Sequence, residues 1–226
     1  MLNGVKREWR TEDGSVWLMQ GDCLEILPQL EGIDAIVTDP PYGLGIAANP
    51  VRQAHQRMDW DDAPASMVHI DMLLHRNVPT ILWGGNYFPM PPAKCILCWN
   101  KLQPEDFSLA MCEYAWTNID KPSKMFTRRV VGYEKQHPTQ KPIDLMVWCL
   151  KQILGEWQTA ADPFCGSGTT LLAAHQLGKR CIGIEREPAY FDTAVARIHE
   201  EIARTALLEP VPKITQRSMF EEQPNA

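Results

Sequence analysis

The sequence predicts an α/β domain in which a mostly parallel β-sheet is flanked by helices. Two observations carry this prediction. Short apolar runs alternate with segments of helical spacing along most of the chain, and one apolar run passes through a glycine-rich turn directly into a helix. At 226 residues the chain is long enough for one sizeable domain, or at most two small ones.

Seven apolar runs are predicted as strands, at residues 16–19, 33–38, 80–83, 95–99, 111–116, 158–161 and 181–184. Five segments are predicted as helices, at residues 24–30, within 65–76, and at 143–154, 169–177 and 189–206. The last of these has apolar residues at helical spacing with charged residues between them. We therefore expect a single domain over residues 1–208, followed by a polar tail at 209–226.

Two stretches do not fit the alternating pattern and are predicted as long loops. Residues 43–65 are polar and turn-prone. Residues 120–136 hold five basic side chains against two acidic ones, which gives a local charge of +3. Because long loops in a domain are often functional, a macromolecular substrate is expected to bind at these two loops.

Composition and charge exclude several classes of protein. The formal charge is −6, from 22 Lys+Arg against 28 Asp+Glu, which excludes a histone-like protein that binds nucleic acid by bulk charge. No apolar run is long enough for a membrane span, and the first ten residues lack the apolar core of a signal peptide. Seven cysteines, mostly in apolar surroundings, are typical of a reduced, cytoplasmic protein.

The segment Asp39-Pro40-Pro41-Tyr42 directly follows the second predicted strand. Two consecutive prolines fix the backbone and remove two N–H donors, so the segment forms a rigid turn. This turn presents the Asp39 carboxylate and backbone carbonyls beside an aromatic ring, and it can accept hydrogen bonds from an amino group on a flat ring. A strand-ending turn with a solvated aspartate explains the segment equally well at this stage.

A glycine-rich turn follows the predicted strand 158–161 and reads Asp162-Pro163-Phe164-Cys165-Gly166-Ser167-Gly168-Thr169-Thr170. Its two glycines allow the backbone to turn tightly and to approach a ligand closely. The next predicted strand is followed by Glu185, about 19 residues after the turn, the spacing at which doubly wound folds place a carboxylate on ribose hydroxyls. The glycine spacing is not the full dinucleotide fingerprint and no Walker lysine follows, which disfavours an NAD site and a P-loop.

The segment His137-Pro138-Thr139-Gln140-Lys141-Pro142 precedes the predicted helix 143–154. Thr139 is expected to cap this helix. Lys141 places a cation near the helix start, where it is unfavourable for the helix dipole. We therefore expect Lys141 to meet an anion such as a ligand carboxylate, with an ordinary exposed lysine as the alternative.

These segments, in this order, resemble those of the β-class amino-methyltransferases of DNA, which act on adenine N6 or cytosine N4. The resemblance covers about residues 20–206 and includes the strand end Gly183-Ile184-Glu185. It implies a Rossmann-like methyltransferase fold, with a seven-stranded, mostly parallel sheet flanked by helices. It also implies S-adenosylmethionine as cofactor, bound at the carboxyl ends of the central strands.

The resemblance assigns roles to individual residues. The catalytic residues would be Asp39, Pro40, Pro41 and Tyr42. The residues lining the cofactor would be Asp162, Phe164, Gly166 and Gly168, with Thr169, Thr170, Thr139 and Lys141 near its methionine moiety. Glu185 would hold the ribose hydroxyls, and Asp22 would meet the adenine amino group of the cofactor. Simple capping of the helix 24–30 is the alternative role for Asp22.

The tetrapeptide suits an amine as substrate. The lone pair of an exocyclic amino nitrogen is delocalised into its ring, and hydrogen bonds to the Asp39 carboxylate and the Pro40 carbonyl would free it. A base inside a duplex cannot be reached, so we expect it to be flipped out and stacked on Tyr42. Further ring-bearing candidates, with core or loop packing as the alternative, are Trp60, Trp83 and Tyr87. Within the family, aspartate as the first residue of the tetrapeptide favours adenine over cytosine.

Double-stranded DNA is the expected partner, and a short target-recognition insertion is expected at about residues 118–136. The residues expected to contact DNA are Lys121, Lys124, Arg128 and Arg129. So small an insertion predicts a short recognition sequence or relaxed specificity. A homodimer is considered because β-class relatives often form dimers. No metal is expected, since the single Cys95/Cys98 pair has no second pair at zinc spacing.

Two alternatives to an adenine-N6 methyltransferase are left open. One is an enzyme with the same fold and cofactor that methylates cytosine N4, or an amino group in RNA or protein. The other is a catalytically silent DNA-binding protein that keeps the fold, although mere binding does not require an intact Asp39–Tyr42 tetrapeptide. A cytosine-C5 enzyme is disfavoured, because that chemistry usually uses a Pro-Cys pair and no proline here precedes a cysteine.

Overall fold

The computed structural model describes residues 2–42, 65–106, 110–130 and 140–208. These residues form one nine-stranded sheet with helices on both faces. The strands are β1 (Arg7–Arg10), β2 (Val16–Gln20), β3 (Ala35–Thr38), β4 (Thr80–Trp83), β5 (Cys95–Asn100), β6 (Cys112–Thr117), β7 (Lys124–Thr127), β8 (Thr159–Asp162) and β9 (Arg180–Glu185). Their order across the sheet is β1-β2-β9-β8-β3-β4-β6-β5-β7.

The seven predicted strands correspond to β2, β3, β4, β5, β6, β8 and β9, which are contiguous in the sheet. The expected count of seven is too low, because β1 and β7 extend the two edges. Both edge strands are short and mostly exposed, so they carry no apolar run that would predict them. Strand β7 also corrects the prediction that residues 120–136 are only a loop.

The direction of the strands decides which residues meet at one edge of the sheet. Five of the eight neighbouring pairs are parallel. Strands β3, β4, β8 and β9 therefore end at the same edge, which we call the carboxyl edge. Strand β6 runs antiparallel to β4 and β5, so the beginning of β6, at Cys112 and Glu113, also lies at the carboxyl edge.

Five helices pack on the sheet. They are α1 (Cys23–Ile26), α2 (Met67–His75), α3 (Ile143–Leu150), α4 (Thr169–Gln176) and α5 (Pro188–Leu208). Each corresponds to a predicted helix. Two are shorter than expected: a 3-10 turn at Leu27–Gln29 continues α1, and α3 ends four residues before the predicted boundary.

The hydrophobic core lies in two layers, one on each face of the sheet. On one face, Val16 and Leu18 of β2 pack with residues of α3, α4 and α5. On the other face, Met19 of β2 packs with residues of α1 and α2, including Ile26 and Leu73. Successive strand side chains point to opposite faces, so a strand covered on both sides has a continuous apolar run.

In the described ranges, no helix is long and apolar enough to cross a membrane. All seven cysteines are free. Most of the predicted loop 43–65, the end of the expected insertion at 131–136 and the predicted tail 209–226 lie outside the described residues.

Candidate active site

The tetrapeptide Asp39-Pro40-Pro41-Tyr42 begins directly after β3 at the carboxyl edge. The prolines cannot donate hydrogen bonds to a neighbouring strand, so the strand ends here. The Asp39 side chain is 20% exposed. Its Oδ2 accepts a hydrogen bond from Nζ of Lys141 at 2.5 Å, and its Oδ1 accepts one from the Tyr42 hydroxyl. Both oxygens of this carboxylate are therefore bonded within the protein.

The Tyr42 ring contacts two residues that follow β4. It stacks on Tyr87, with ring centroids 5.0 Å apart and an interplanar angle of 27°. It also lies directly over Gly84, which has a φ of 67°. Tyr87 is half exposed, whereas Trp83 is fully buried in the core. Trp60 lies outside the described residues.

Lys141 meets two carboxylates of the protein itself. Its side chain is 6% exposed, and Nζ lies 2.5 Å from Asp39 Oδ2 and 3.2 Å from Glu113 Oε2. Nζ also lies 5.2 Å from the centre of the Trp83 ring. The alternative of an exposed lysine is wrong. The N-cap of α3 is Pro142, so the prediction that Thr139 caps this helix is wrong, and Thr139 itself lies outside the described residues.

Sequence reasoning did not select Glu113, the first charged residue of β6. Its Oε1 also accepts a hydrogen bond from Nζ of Lys101. Burial raises the pKa of Glu113, but the attraction of Lys141 and Lys101 outweighs this effect and holds the pKa at about 2. The sequence does contain a signal for this residue, because Glu113 is the one acidic residue within the predicted strand 111–116.

Asp39 and Lys141 form a buried ion pair whose members affect each other. Burial raises the pKa of Asp39 above its ordinary value, and the attraction of Lys141 limits that rise. Burial lowers the pKa of Lys141, but the nearby Asp39 and Glu113 outweigh it, so the pKa of Lys141 lies well above its ordinary value. Lys141 is therefore a fixed positive charge next to the Asp39 carboxylate.

Asp162 joins the glycine-rich turn to the strand that precedes the tetrapeptide. This buried carboxylate accepts hydrogen bonds from Thr38 Oγ1 at 2.7 Å, Thr170 Oγ1 at 2.5 Å and the Phe164 backbone N–H at 3.1 Å. Burial raises the pKa of Asp162 to about 6. Thr170 is thus held by Asp162.

Gly168 has a different position from the one expected. It is the N-cap of α4 with a φ of 79°, and a Cβ there would meet Ile198 and Ala194 of α5. Gly168 therefore allows α4 to begin close to α5, and it is not among the residues that line the cavity described below. The Thr169 hydroxyl accepts a hydrogen bond from Arg197 at 2.8 Å.

Glu185 closes the turn from the end of β9. Its Oε2 accepts the Gly166 backbone N–H at 2.9 Å, and its Oε1 accepts the Glu187 backbone N–H at 2.8 Å. The residue is 8% exposed, and burial raises the pKa of this carboxyl to about 7. These two hydrogen bonds fix the orientation of the Glu185 carboxylate, which is a hydrogen-bond acceptor in the cavity wall.

Asp22 caps α1, since its Oδ1 accepts the Leu24 backbone N–H at 2.8 Å. It also lies in the cavity beside Cys23 and His69, and ligand atoms of these three residues are within 4.8 Å of one another. Nδ1 of His69 accepts the Ser66 backbone N–H at 3.2 Å, and burial lowers the pKa of His69. His69, which the sequence did not single out, is therefore an uncharged part of the cavity wall.

One cavity of about 420 Å³ connects these groups along the carboxyl edge. The tetrapeptide lines it, together with Phe164, Glu185 and Asp22. Its volume is in the range of sites that hold small molecules and cofactors. The expected cofactor-binding residues that line the cavity are Asp22, Lys141, Asp162, Phe164, Gly166, Thr169, Thr170 and Glu185.

Residues 99–196 match the sequence profile of the DNA methylase family, whose members methylate N6 or N4 amino groups. The match extends from the end of β5 to the first part of α5 and includes the glycine-rich turn. The match covers a little under half of the chain. It supports an S-adenosylmethionine-dependent DNA amino-methyltransferase.

Several known proteins are similar to this chain. The type II methyltransferase M2.MboI of Moraxella bovis is 27% identical over 87% of this chain and 92% of its own length. The type II methyltransferase M.HindIII of Haemophilus influenzae is 39% identical over 34% of this chain, but only 25% of its own length is matched. The crystal structure of an M1.HpyAVI complex has a TM-score of 0.54 at 24% identity, covering 81% of this chain and 98% of that one. The cytosine-N4-specific PvuII methyltransferase has a TM-score of 0.55 at 15% identity, covering 88% and 95%.

The four basic residues expected to contact DNA do not lie together in the structure. Strand β7 runs parallel to β5, so Arg128 and Arg129, which follow β7, lie at the carboxyl edge. Lys124 begins β7 and Lys121 precedes it, at the opposite edge. Nζ of Lys121 donates to the Gln152 carbonyl at 2.9 Å. Strand β7 therefore separates the two pairs, so the four residues do not form one continuous basic surface.

Replacing Gly84 with alanine is expected to displace the Tyr42 ring, because the new methyl group would overlap it. Gly32 provides a matched control, since it has the same φ of 67° and a Cβ there meets nothing within 4 Å. Both variants carry the cost of a left-handed backbone, but Gly84→Ala should lose roughly 2 kcal/mol more from overpacking. Urea denaturation measures the two losses, and equal losses would contradict the tight packing of Tyr42.

Proposed function

We propose that the protein transfers a methyl group from S-adenosylmethionine to adenine N6 of a flipped-out base in double-stranded DNA. The observation that carries this proposal is the Asp39 carboxylate, which β3 and Lys141 hold at one end of the cavity. Aspartate at this position favours adenine over cytosine within the family. Methylation of cytosine N4 is the second candidate, since the PvuII enzyme has the same fold and is cytosine-N4-specific.

The cavity fits the proposed cofactor. A nucleoside needs an acceptor for its ribose hydroxyls, and the Glu185 carboxylate is oriented for this role by two backbone N–H groups. A purine ring needs an apolar surface and an acceptor for its amino group. Phe164 supplies the surface, and Asp22, one of whose oxygens caps α1, supplies the acceptor. We assign these three residues to cofactor binding.

In the proposed mechanism the protein orients an amine and polarises it. When bound, S-adenosylmethionine supplies a methyl group on a positively charged sulfur. The Asp39 carboxylate and the Pro40 carbonyl accept hydrogen bonds from the target amino group, which favours a tetrahedral nitrogen with an available lone pair. For this contact, the amine has to replace the Tyr42 hydroxyl or share Asp39 with it. The Tyr42 ring then stacks on the base, and positioning supplies much of the acceleration.

The identity of the methylated base tests this proposal. The protein is incubated with unmethylated genomic DNA and S-adenosylmethionine, the DNA is digested to nucleosides, and the products are identified by mass. We expect the methylated product to be N6-methyldeoxyadenosine. N4-methyldeoxycytidine would favour the second candidate, and no methylated nucleoside at all would favour a silent DNA-binding protein that keeps the fold.

We further propose that DNA binds at the carboxyl edge and contacts Arg128 and Arg129. Both follow the end of β7, at the carboxyl edge where Asp39 also lies, and the Arg129 side chain is exposed. The Arg128 guanidinium forms an ion pair with Asp144 at the start of α3, which fixes it at this edge. The protein as a whole carries a net negative charge of −6, so phosphates are expected to bind where exposed arginines such as Arg129 lie.

Arg129→Ala is expected to weaken DNA binding and to reduce the slope of log K against log salt concentration by about 1, because one phosphate contact is lost. Lys124→Ala is the matched control, since Lys124 is also exposed but lies at the opposite end of β7. Fluorescence anisotropy with a labelled duplex, repeated over a range of salt concentrations, measures both slopes. A larger change for Lys124→Ala would place the DNA at the opposite edge.

A further inference from the structure

Four side chains of alternating charge connect the β5–β6 hairpin to the catalytic tetrapeptide. Lys101 follows β5 and contacts Glu113 on β6. Glu113 lies 3.2 Å from Lys141, and Lys141 lies 2.5 Å from Asp39. The Lys101 and Lys141 side chains are only 13% and 6% exposed, so water screens these contacts poorly.

From this arrangement we propose that Glu113 is a positioning residue. This proposal rests on the proposed function of Asp39. By sharing the Lys141 ammonium with Asp39, Glu113 sets how strongly the Asp39 carboxylate accepts the target amino group. Lys101 has the complementary role, because it balances the charge of Glu113. Neither residue belongs to the segments on which the family resemblance rests.

Lys141 is one cation that faces two carboxylates. If Lys141 paired with Asp39 alone, its whole charge would act on that carboxylate and make it a weaker acceptor and a weaker base. Glu113 draws part of this attraction away, and its own charge raises the pKa of Asp39. Because Lys141 is shared between two carboxylates, its charge does not act on Asp39 alone, which leaves Asp39 able to accept an amine.

The other groups around these carboxylates leave this arrangement unchanged. Asp39 also faces Tyr42 and Asp162, and Lys141 also faces Cys149. The pKa values of Tyr42 and Cys149 are raised by burial, so both are neutral near pH 7. Asp162 has its own three hydrogen-bond donors and is not a partner of Glu113.

The test compares Glu113→Gln with the parent protein in the pH dependence of methyl transfer. Without the Glu113 charge, Lys141 pairs with Asp39 alone. The acidic limb of the rate against pH should therefore move to lower pH by at least about half a unit. The kcat should fall about tenfold, while KM for S-adenosylmethionine stays unchanged. Glu105→Gln, on the same β5–β6 connection but exposed, should match the parent in all three quantities.

Lys101→Met provides a second variant with the opposite sign. Without Lys101, Glu113 draws Lys141 more strongly, and the acidic limb should move to higher pH. If Glu113 and Lys101 only supported the fold, the two variants would not move the acidic limb in opposite directions. The inference would be overturned if the acidic limb stayed unchanged, or moved in the same direction in both variants.

A measurement without DNA separates this inference from the proposed function. The 13C signal of the Asp39 carboxyl, assigned by its loss in Asp39→Asn, reports the titration of this group directly. In Glu113→Gln we expect it to titrate at lower pH than in the parent, even if no methylated base is ever found. An unchanged titration would overturn the inference, whereas absence of methylation in the parent would overturn only the proposed function.

Discussion

Asp39→Asn is expected to lower the rate of methyl transfer by about 10³-fold, the scale of losing one well-placed polar contact to the reacting group. Asparagine preserves the shape of the side chain but removes the negative charge that accepts the target amino group. Lys141 still has Glu113 as its partner, so the fold should persist. Transfer of labelled methyl groups to DNA measures the rate.

The control for this variant is cofactor binding, measured by calorimetry, which should match that of the parent. Asp120→Asn is a second control, because Asp120 is an exposed ion-pair partner of Lys94 on the other side of the sheet. A rate for Asp39→Asn within about threefold of the parent would mean that Asp39 is not the acceptor of the target amine, because losing such a contact costs far more.

Lys141→Met is expected to destabilise the protein by about 3 kcal/mol near neutral pH, because it leaves the buried Asp39 carboxylate without its cation. The loss should depend on pH. In the variant the pKa of Asp39 in the folded state is raised above that in the unfolded state, so the folded state binds more protons between these two values. Stability relative to the parent is then regained as the pH falls.

Urea denaturation at about pH 8 and about pH 5.5 measures this difference. Lys94→Met is the matched control, since Lys94 forms an exposed ion pair and should change stability by about 0.5 kcal/mol or less. An equal loss at both pH values would indicate that Lys141 contributes packing and not compensation of a buried charge.

The sequence predicted the interior of the sheet and the two turns at its carboxyl edge. Strands that are covered on both faces, such as β3, are apolar throughout, and the glycine-rich turn has φ values that require glycine. Strands β1 and β7 could not be predicted, because an edge strand with exposed side chains has the same composition as a loop.

The partners of Lys141 could not be predicted because they depend on the reversed direction of β6. Nothing in the local sequence around Lys141 indicates that the beginning of a strand some 30 residues earlier faces it. The separation of Lys121 and Lys124 from Arg128 and Arg129 has a similar cause. Four strand residues move the chain across much of the sheet, so neighbours in sequence lie at opposite edges.

The Asp162 carboxylate connects the two halves of the site. Its Oδ1 accepts hydrogen bonds both from the hydroxyl of Thr38, the residue before the tetrapeptide, and from the Phe164 backbone N–H in the glycine-rich turn. The turn and the tetrapeptide therefore cannot shift independently without breaking a buried hydrogen bond. A ligand that orders the glycine-rich turn therefore also restrains the tetrapeptide, and the reverse holds. By thermodynamic linkage, binding at the turn and binding at the tetrapeptide favour each other by the same factor.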